Sequence, residues 1–163
     1  MKIGIISDTH GNTEVIDFIL DKVPDAKLWL HAGDLAPDAA YLEETYNVGV
    51  VKVAGNCDWP SANAPNETIV EVAGHKIFLT HGHIYGNRFG AGMMIGAARE
   101  AGCDMVVCGH THVAQIQEEP ETNIWLINPG SASRPRDERR PSFMTAILEP
   151  NQPPKVELHR IEH

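Results

Sequence analysis

The chain has 163 residues, 42% of them hydrophobic, enough for one compact domain over 1–163 and too little for a second. Its 22 acidic residues against 13 basic ones give a net charge of −9, which repels polyanions and argues against nucleic-acid binding; no basic groove or aromatic stacking series offsets it. Cys57, Cys103 and Cys108 cannot all pair within one chain, and no apolar run is long enough for a signal peptide or membrane span, so a reducing, cytoplasmic location is expected.

In chain order, Ile3 to Ile6 reads as a buried strand, and Val15, Ile16, Ile19, Leu20 and Val23 then share one helical face, with Asn12 as N-cap and Pro24 as stop. Strand Leu28 to Ala32 precedes a helix opening at Pro37, whose missing amide hydrogen is harmless in a first turn. With strand Gly49 to Ala54, this alternation implies parallel pairing. Thr68 to Val72 and Lys76 to Thr80 form a hairpin about Ala73-Gly74-His75, so the sheets are mixed. A helix from about Phe89 to Ala101 leads into strand Met105 to Cys108. Strands Ile124 to Asn128, Phe143 to Leu148 and Val156 to Ile161 make an antiparallel ending, read as a second sheet. Residues 129 to 141 have the Pro, Gly, Ser and Arg content of a long loop.

Polar clusters end five of these apolar runs. Asp8 and His10 follow the first strand, Gly33-Asp34 the second, and Gly55-Asn56-Cys57-Asp58 the third. His81-Gly82-His83 follows the hairpin, and Gly109-His110-Thr111-His112 the strand at Met105. Ligands bind beyond the carboxyl ends of parallel strands, so neighbouring strands would bring these clusters to one site. Carboxylates, imidazoles and an amide oxygen suit Mn, Fe, Co, Ni or Zn better than calcium. A carboxylate such as Asp34 has two oxygens with which to bridge two cations. Turn formation explains any one Asp or Asn here, but not four histidines in the same set.

These motifs, continued by Asn128-Pro129-Gly130-Ser131, resemble in type and order the calcineurin-like metallophosphoesterases, specifically their small bacterial and archaeal phosphodiesterase branch; the resemblance covers Met1 to about Ser131. It implies a four-layer αββα sandwich of two mixed sheets flanked by helices. It also implies two divalent metal ions, manganese foremost, with Asp8, His10 and His112 on one, Asn56, His81 and His110 on the other, and Asp34 bridging. The implied reaction is hydrolysis of a small phosphate ester by a bridging hydroxide, with the ions about 3.5 to 4 Å apart. Asp34, Asn56, Cys57, Asp58 and His83 are the expected catalytic set, and Asn56, Ser131 and Arg134 the expected substrate contacts. A small phosphodiester is the substrate expected first; the alternatives are a phosphomonoesterase acting on a nucleotide or small metabolite, and a metal-binding scaffold like the retromer subunit built on this fold. The intact Asp8-x-His10 and His110-x-His112 pairs favour catalysis over the scaffold.

Cys57 departs from the wider family, where many phosphatases have histidine. A thiol is a weak donor, which suggests good leaving groups or help from His83 or water. His83 either supports the ligand set or touches phosphate. Arg134, Arg136, Arg139 and Arg140 form a phosphate clamp, a solvated loop or a subunit contact, and a homo-oligomer is a further expectation. His31 reads as a hydrogen-bonded core histidine, His75 as a turn residue, His159 and His163 as solvated, and Cys103, Cys108, Met93 and Met94 as packing residues.

Overall fold

The computed structural model describes residues 1–58, 64–137 and 140–161, so Arg139 and His163 lie outside the described residues. The chain runs β1 (Lys2–Ile6), α1 (Thr13–Lys22), β2 (Leu28–His31), α2 (Ala36–Tyr46), β3 (Gly49–Lys52), β4 (Glu67–Val72) and β5 (His75–Thr80). Two 3-10 turns, His83–Tyr85 and Asn87–Phe89, lead to α3 (Gly92–Glu100) and β6 (Met105–Val107). After these come β7 (Ala114–Glu118), β8 (Trp125–Pro129), β9 (Ser142–Ile147) and β10 (Lys155–Arg160).

Two mixed five-stranded sheets, ordered β10-β9-β1-β2-β3 and β4-β5-β6-β8-β7, pack face to face. Strand alternation decides what each face does. Ile3, Ile5 and Leu30 from the first sheet meet Ile77, Leu79, Met105, Val107 and Ile127 from the second in the central core. Ile6 and Trp29 turn the other way, onto Ile16, Ile19 and Leu42 of α1 and α2. Phe78, Val106 and Leu126 pack on Met94 and Ala98 of α3. This is the expected four-layer αββα sandwich.

α1 begins as expected, the Asn12 side chain accepting from the Val15 amide at 3.2 Å. The last two strands do not form a second sheet with their neighbours. β9 pairs antiparallel with β1, Ile5 opposite Met144, and β10 pairs with β9. Without them β1 would be an edge strand with a buried row of unpaired amides. β7 escaped notice because Ala114-Gln115-Ile116-Gln117-Glu118 is an exposed edge strand with little apolar content. The third helix starts later than Phe89, which lies in a 3-10 turn followed by Gly90.

His75 is a buried strand residue rather than part of a turn. Its Nδ1 meets Asp104 Oδ2 at 2.6 Å and its Nε2 meets the Glu149 carbonyl at 3.0 Å. His159 is not simply solvated, since its ring stacks on Phe143 and meets the Thr145 hydroxyl. Cys103, Cys108 and Met94 are buried as expected, but Met93 is exposed.

Candidate metal centre

β1, β2 and β3 are adjacent and parallel, as are β5 and β6 in the facing sheet, so all five polar clusters leave the same edge of the sandwich. Backbone bonds join their turns: Asp8 N to Gly33 O at 2.8 Å, His10 N to Asp34 O at 3.1 Å and Gly109 N to His81 O at 3.1 Å. Asp8, His10, Asp34, His110 and His112 all have positive φ, between 48° and 74°. Asp and His tolerate this left-handed conformation better than most side chains, yet it carries strain that usually marks a functional site.

Lone pairs face one another in the middle. His81 Nδ1 donates to the Ala32 carbonyl at 2.6 Å, and His112 Nδ1 donates to the Arg134 carbonyl at 2.5 Å. These bonds put the neutral rings' protons on Nδ1 and leave each Nε2 as an acceptor. Yet His112 Nε2 lies 3.2 Å from Asp8 Oδ1, and His81 Nε2 lies 3.3 Å from Asp34 Oδ2 and 3.1 Å from Asn56 Oδ1. His10 Nε2 stands 3.4 Å from His112 Nε2 and 3.9 Å from Asp8 Oδ1. Asp8 Oδ1 is buried without a hydrogen-bond partner among the described residues. Acceptors packed this closely repel unless a cation lies between them, and an orphaned carboxylate oxygen in their midst fits a metal ligand. Ligand atoms of Asp8, His10 and His112, of Asp8, Asp34 and His81, and of His10, Asp34 and Cys57 form compact triples. Asn56 Oδ1 also meets His110 Nδ1, at 3.1 Å.

Electrostatics follow from this crowding. Burial opposes charge on Asp34, but His81 and the Cys57 amide overcome it and hold the carboxyl well below the usual carboxylate range. Burial, His81 and Arg88 push His110 down to about 4. Burial and the Asp34 charge push the Cys57 thiol up, so it is held as a thiol.

The chain matches the model of the calcineurin-like phosphoesterase superfamily domain over residues 1–151. It belongs to that family. As such it is a metal-dependent phosphoester hydrolase, similar to relatives bearing that description. It is 32% identical over 151 residues to the probable metallophosphoesterase YsnB of Bacillus subtilis, covering 91% of this chain and 85% of that one. Identity with the phosphodiesterase YfcE of Escherichia coli K12 is 30% over 162 residues, covering 83% of this chain and 82% of that one. A predicted phosphoesterase from Streptococcus pneumoniae superposes with a TM-score of 0.83 at 29% identity, over 98% of this chain and 88% of that one.

Other residues of this phosphoesterase differ from their expected placement. Ser131 has no exposed surface; its hydroxyl donates to the Asp8 carbonyl at 2.8 Å, so it braces the first turn. Asp58 accepts from the amides of Gly55, Ala36 and Asp34 at 2.7, 2.7 and 3.2 Å, which makes it a positioning residue for the turns carrying Asn56 and Asp34. His83 lies beside His81 and His110, with a buried Nδ1 that has no partner among the described residues. Arg134 and Arg136 line the cleft above the ligand set, whereas the Arg140 carbonyl accepts from Arg160. Asn128, which opens the Asn128-Pro129-Gly130-Ser131 motif, donates to the Gly109 carbonyl, as does Asn87, which the sequence did not mark; nor did it mark Ser7, whose hydroxyl donates to Asp8 Oδ2. It also passed over Arg88 in the cleft wall. The only available signal was proximity to the His81 and His110 motifs, which does not distinguish these residues from solvated neighbours. No helix among the described residues is long and apolar enough to cross a membrane.

Proposed function

We propose that this protein is a phosphodiesterase acting on small phosphodiesters with two divalent cations, manganese best suited. Asp8, His10 and His112 would hold one ion and Asn56, His81 and His110 the other, with Asp34 shared. The observation that carries this reading is the facing of Asp8 Oδ1 and Asp34 Oδ2 onto the unprotonated nitrogens of His112 and His81, at 3.2 and 3.3 Å. When bound, such a pair of ions lowers the pKa of water and neutralises charge on the phosphoryl oxygens.

The chain's own residues supply orientation and charge. The Nδ1 bonds of His81 and His112 to backbone carbonyls fix the ring tautomers and keep Nε2 available as a ligand. The Asn56 amide nitrogen, at the exposed edge of the set, is placed to donate to a phosphoryl oxygen, while arginines in the cleft wall attract the anion. Cys57 opens onto the same cleft and presents a protonated thiol toward the leaving group, with His83 as the neighbouring alternative.

The test is hydrolysis of a chromogenic phosphodiester by chelator-stripped protein resupplied with manganese, nickel, cobalt, zinc or magnesium, beside the matching monoester. Metal-dependent turnover that is greater on the diester and lost in Asp34→Asn is expected. Greater turnover of the monoester would assign a phosphomonoesterase, and bound metal without turnover of either ester would favour a binding scaffold.

A further inference from the structure

The cleft over the ligand set, about 380 Å³, is lined by three arginines, Arg88, Arg134 and Arg136, besides the residues that would hold cations. Arg88 comes from the second 3-10 turn, Arg134 and Arg136 from the loop after β8, so distant parts of the chain deliver positive charge to one space. Arg134 lies beside His112, whose Nδ1 reaches its carbonyl at 2.5 Å, while Arg88 follows Asn87, whose side chain donates to the Gly109 carbonyl at 2.9 Å, so the two arginines approach the cleft from different elements around the ligand set.

None of the three side chains has an ion pair or hydrogen bond among the described residues. A partner was close at hand: Asp137 follows Arg136 directly, yet pairs in bidentate fashion with Arg160, at 3.0 and 2.7 Å. The chain as a whole carries a net charge of −9, so unpaired cations gathered at one cleft run against its composition. Beside a cation-binding cage they repel what the cage binds, unless an anion lies between. The single negative charge of a phosphodiester is already outmatched by two divalent ions. Three arginines, with planar donors suited to phosphate, call for more negative charge than that.

We propose that the substrate carries at least one phosphate group besides the scissile one, held between Arg88 on one side of the cleft and Arg134 and Arg136 on the other. This rests on the phosphodiesterase reading above.

Two chromogenic esters test it: thymidine 3′-(p-nitrophenyl phosphate) with a free 5′-hydroxyl, and the same ester bearing a 5′-phosphate. With manganese-loaded protein, kcat/KM should be about tenfold or more higher for the phosphorylated ester. That ratio should fall toward one in Arg88→Gln and in the double variant Arg134→Gln, Arg136→Gln, with Arg88→Lys retaining part of it. Calorimetry gives a readout without turnover: thymidine 3′,5′-bisphosphate should bind the loaded protein tighter than thymidine 5′-monophosphate by a similar factor. Equal kcat/KM for the two esters together with equal affinities would overturn the proposal while leaving the phosphodiesterase reading intact. If neither ester is hydrolysed, that reading falls, and the calorimetric ratio decides the arginine site alone: tighter bisphosphate binding keeps it, equal binding removes it.

Discussion

Cys57 stands at the mouth of the cleft as an exposed thiol, beside the carboxylate of Asp34, whose Oδ1 accepts the Cys57 amide at 2.9 Å. A thiol donates weakly, so the enzyme should prefer esters whose leaving groups need little protonation. Cys57→His is expected to raise turnover of poor leaving groups more than good ones, measured as the slope of log kcat/KM against leaving-group pKa; an unchanged slope would refute this role. Two glycines explain how side chains come so close. A Cβ on Gly55 would lie 2.0 Å from Asp34 Oδ1, and one on Gly109 would lie 2.1 Å from Ser7 Oγ. Gly55→Ala must therefore displace the Asp34 carboxylate, and manganese affinity measured by calorimetry should drop by about 10- to 100-fold. The gathering of Asp, His and Asn side chains at one edge was legible because their chemistry is rare in combination. Ser131 and Asp58 bond to backbone, which the sequence does not reveal, because a strand-end hydroxyl or carboxylate looks the same there whether it faces the cleft or the backbone behind it.

The elements carrying the first two clusters are joined by a buried chain of hydrogen bonds. The Gly33 amide donates to His31 Nδ1 at 3.1 Å, and His31 Nε2 meets the Thr9 hydroxyl at 3.0 Å. That hydroxyl donates to Asp38 at the start of α2, which also accepts from the Gly11 amide at 2.8 Å. β2, the turn after β1 and α2 are thus held in one arrangement, and Asp8, His10 and Asp34 with them. Burial pushes His31 down to about 4, against the pull of Asp38 and Asp8. The folded state therefore excludes a proton that the unfolded chain takes up near pH 6.5, so this contribution is complete above about 6.5 and is lost as pH falls toward 4. Its size is about 3 kcal/mol from the ordinary histidine value. Urea unfolding of chelator-treated protein between pH 7 and 4.5 should show this acid slope, and His31→Gln should flatten it. An unchanged slope in the variant would place the acid sensitivity elsewhere. Apolar periodicity identified most of these elements, whereas β7 lacked the pattern and the third helix was overextended into Phe89 and Gly90.

At the scale of the molecule, the two sheets deliver the candidate ligands from opposite sides of one core, so a cation bound between them would bridge the sandwich. Asp8, His10, Asp34 and Asn56 come from the first sheet, His81, His110 and His112 from the second. Metal at about a hundred times its dissociation constant adds about 2.7 kcal/mol, which for a chain of this size raises the melting temperature by about 5 to 10 °C. Melting curves with chelator and with manganese should differ by that much, and Asp34→Asn should lose most of the difference. The sequence by itself determined the strand-ending clusters and the donor chemistry, because each ligand sits within a few residues of an apolar run that must be buried. Only the tertiary structure decided that β9 and β10 return to shield β1, that Ser131 and Asp58 turn toward backbone, and that Arg88 and Arg134 line one cleft. Those outcomes depend on pairings between segments far apart in the chain, where packing of the two sheets sets the distance and local sequence does not.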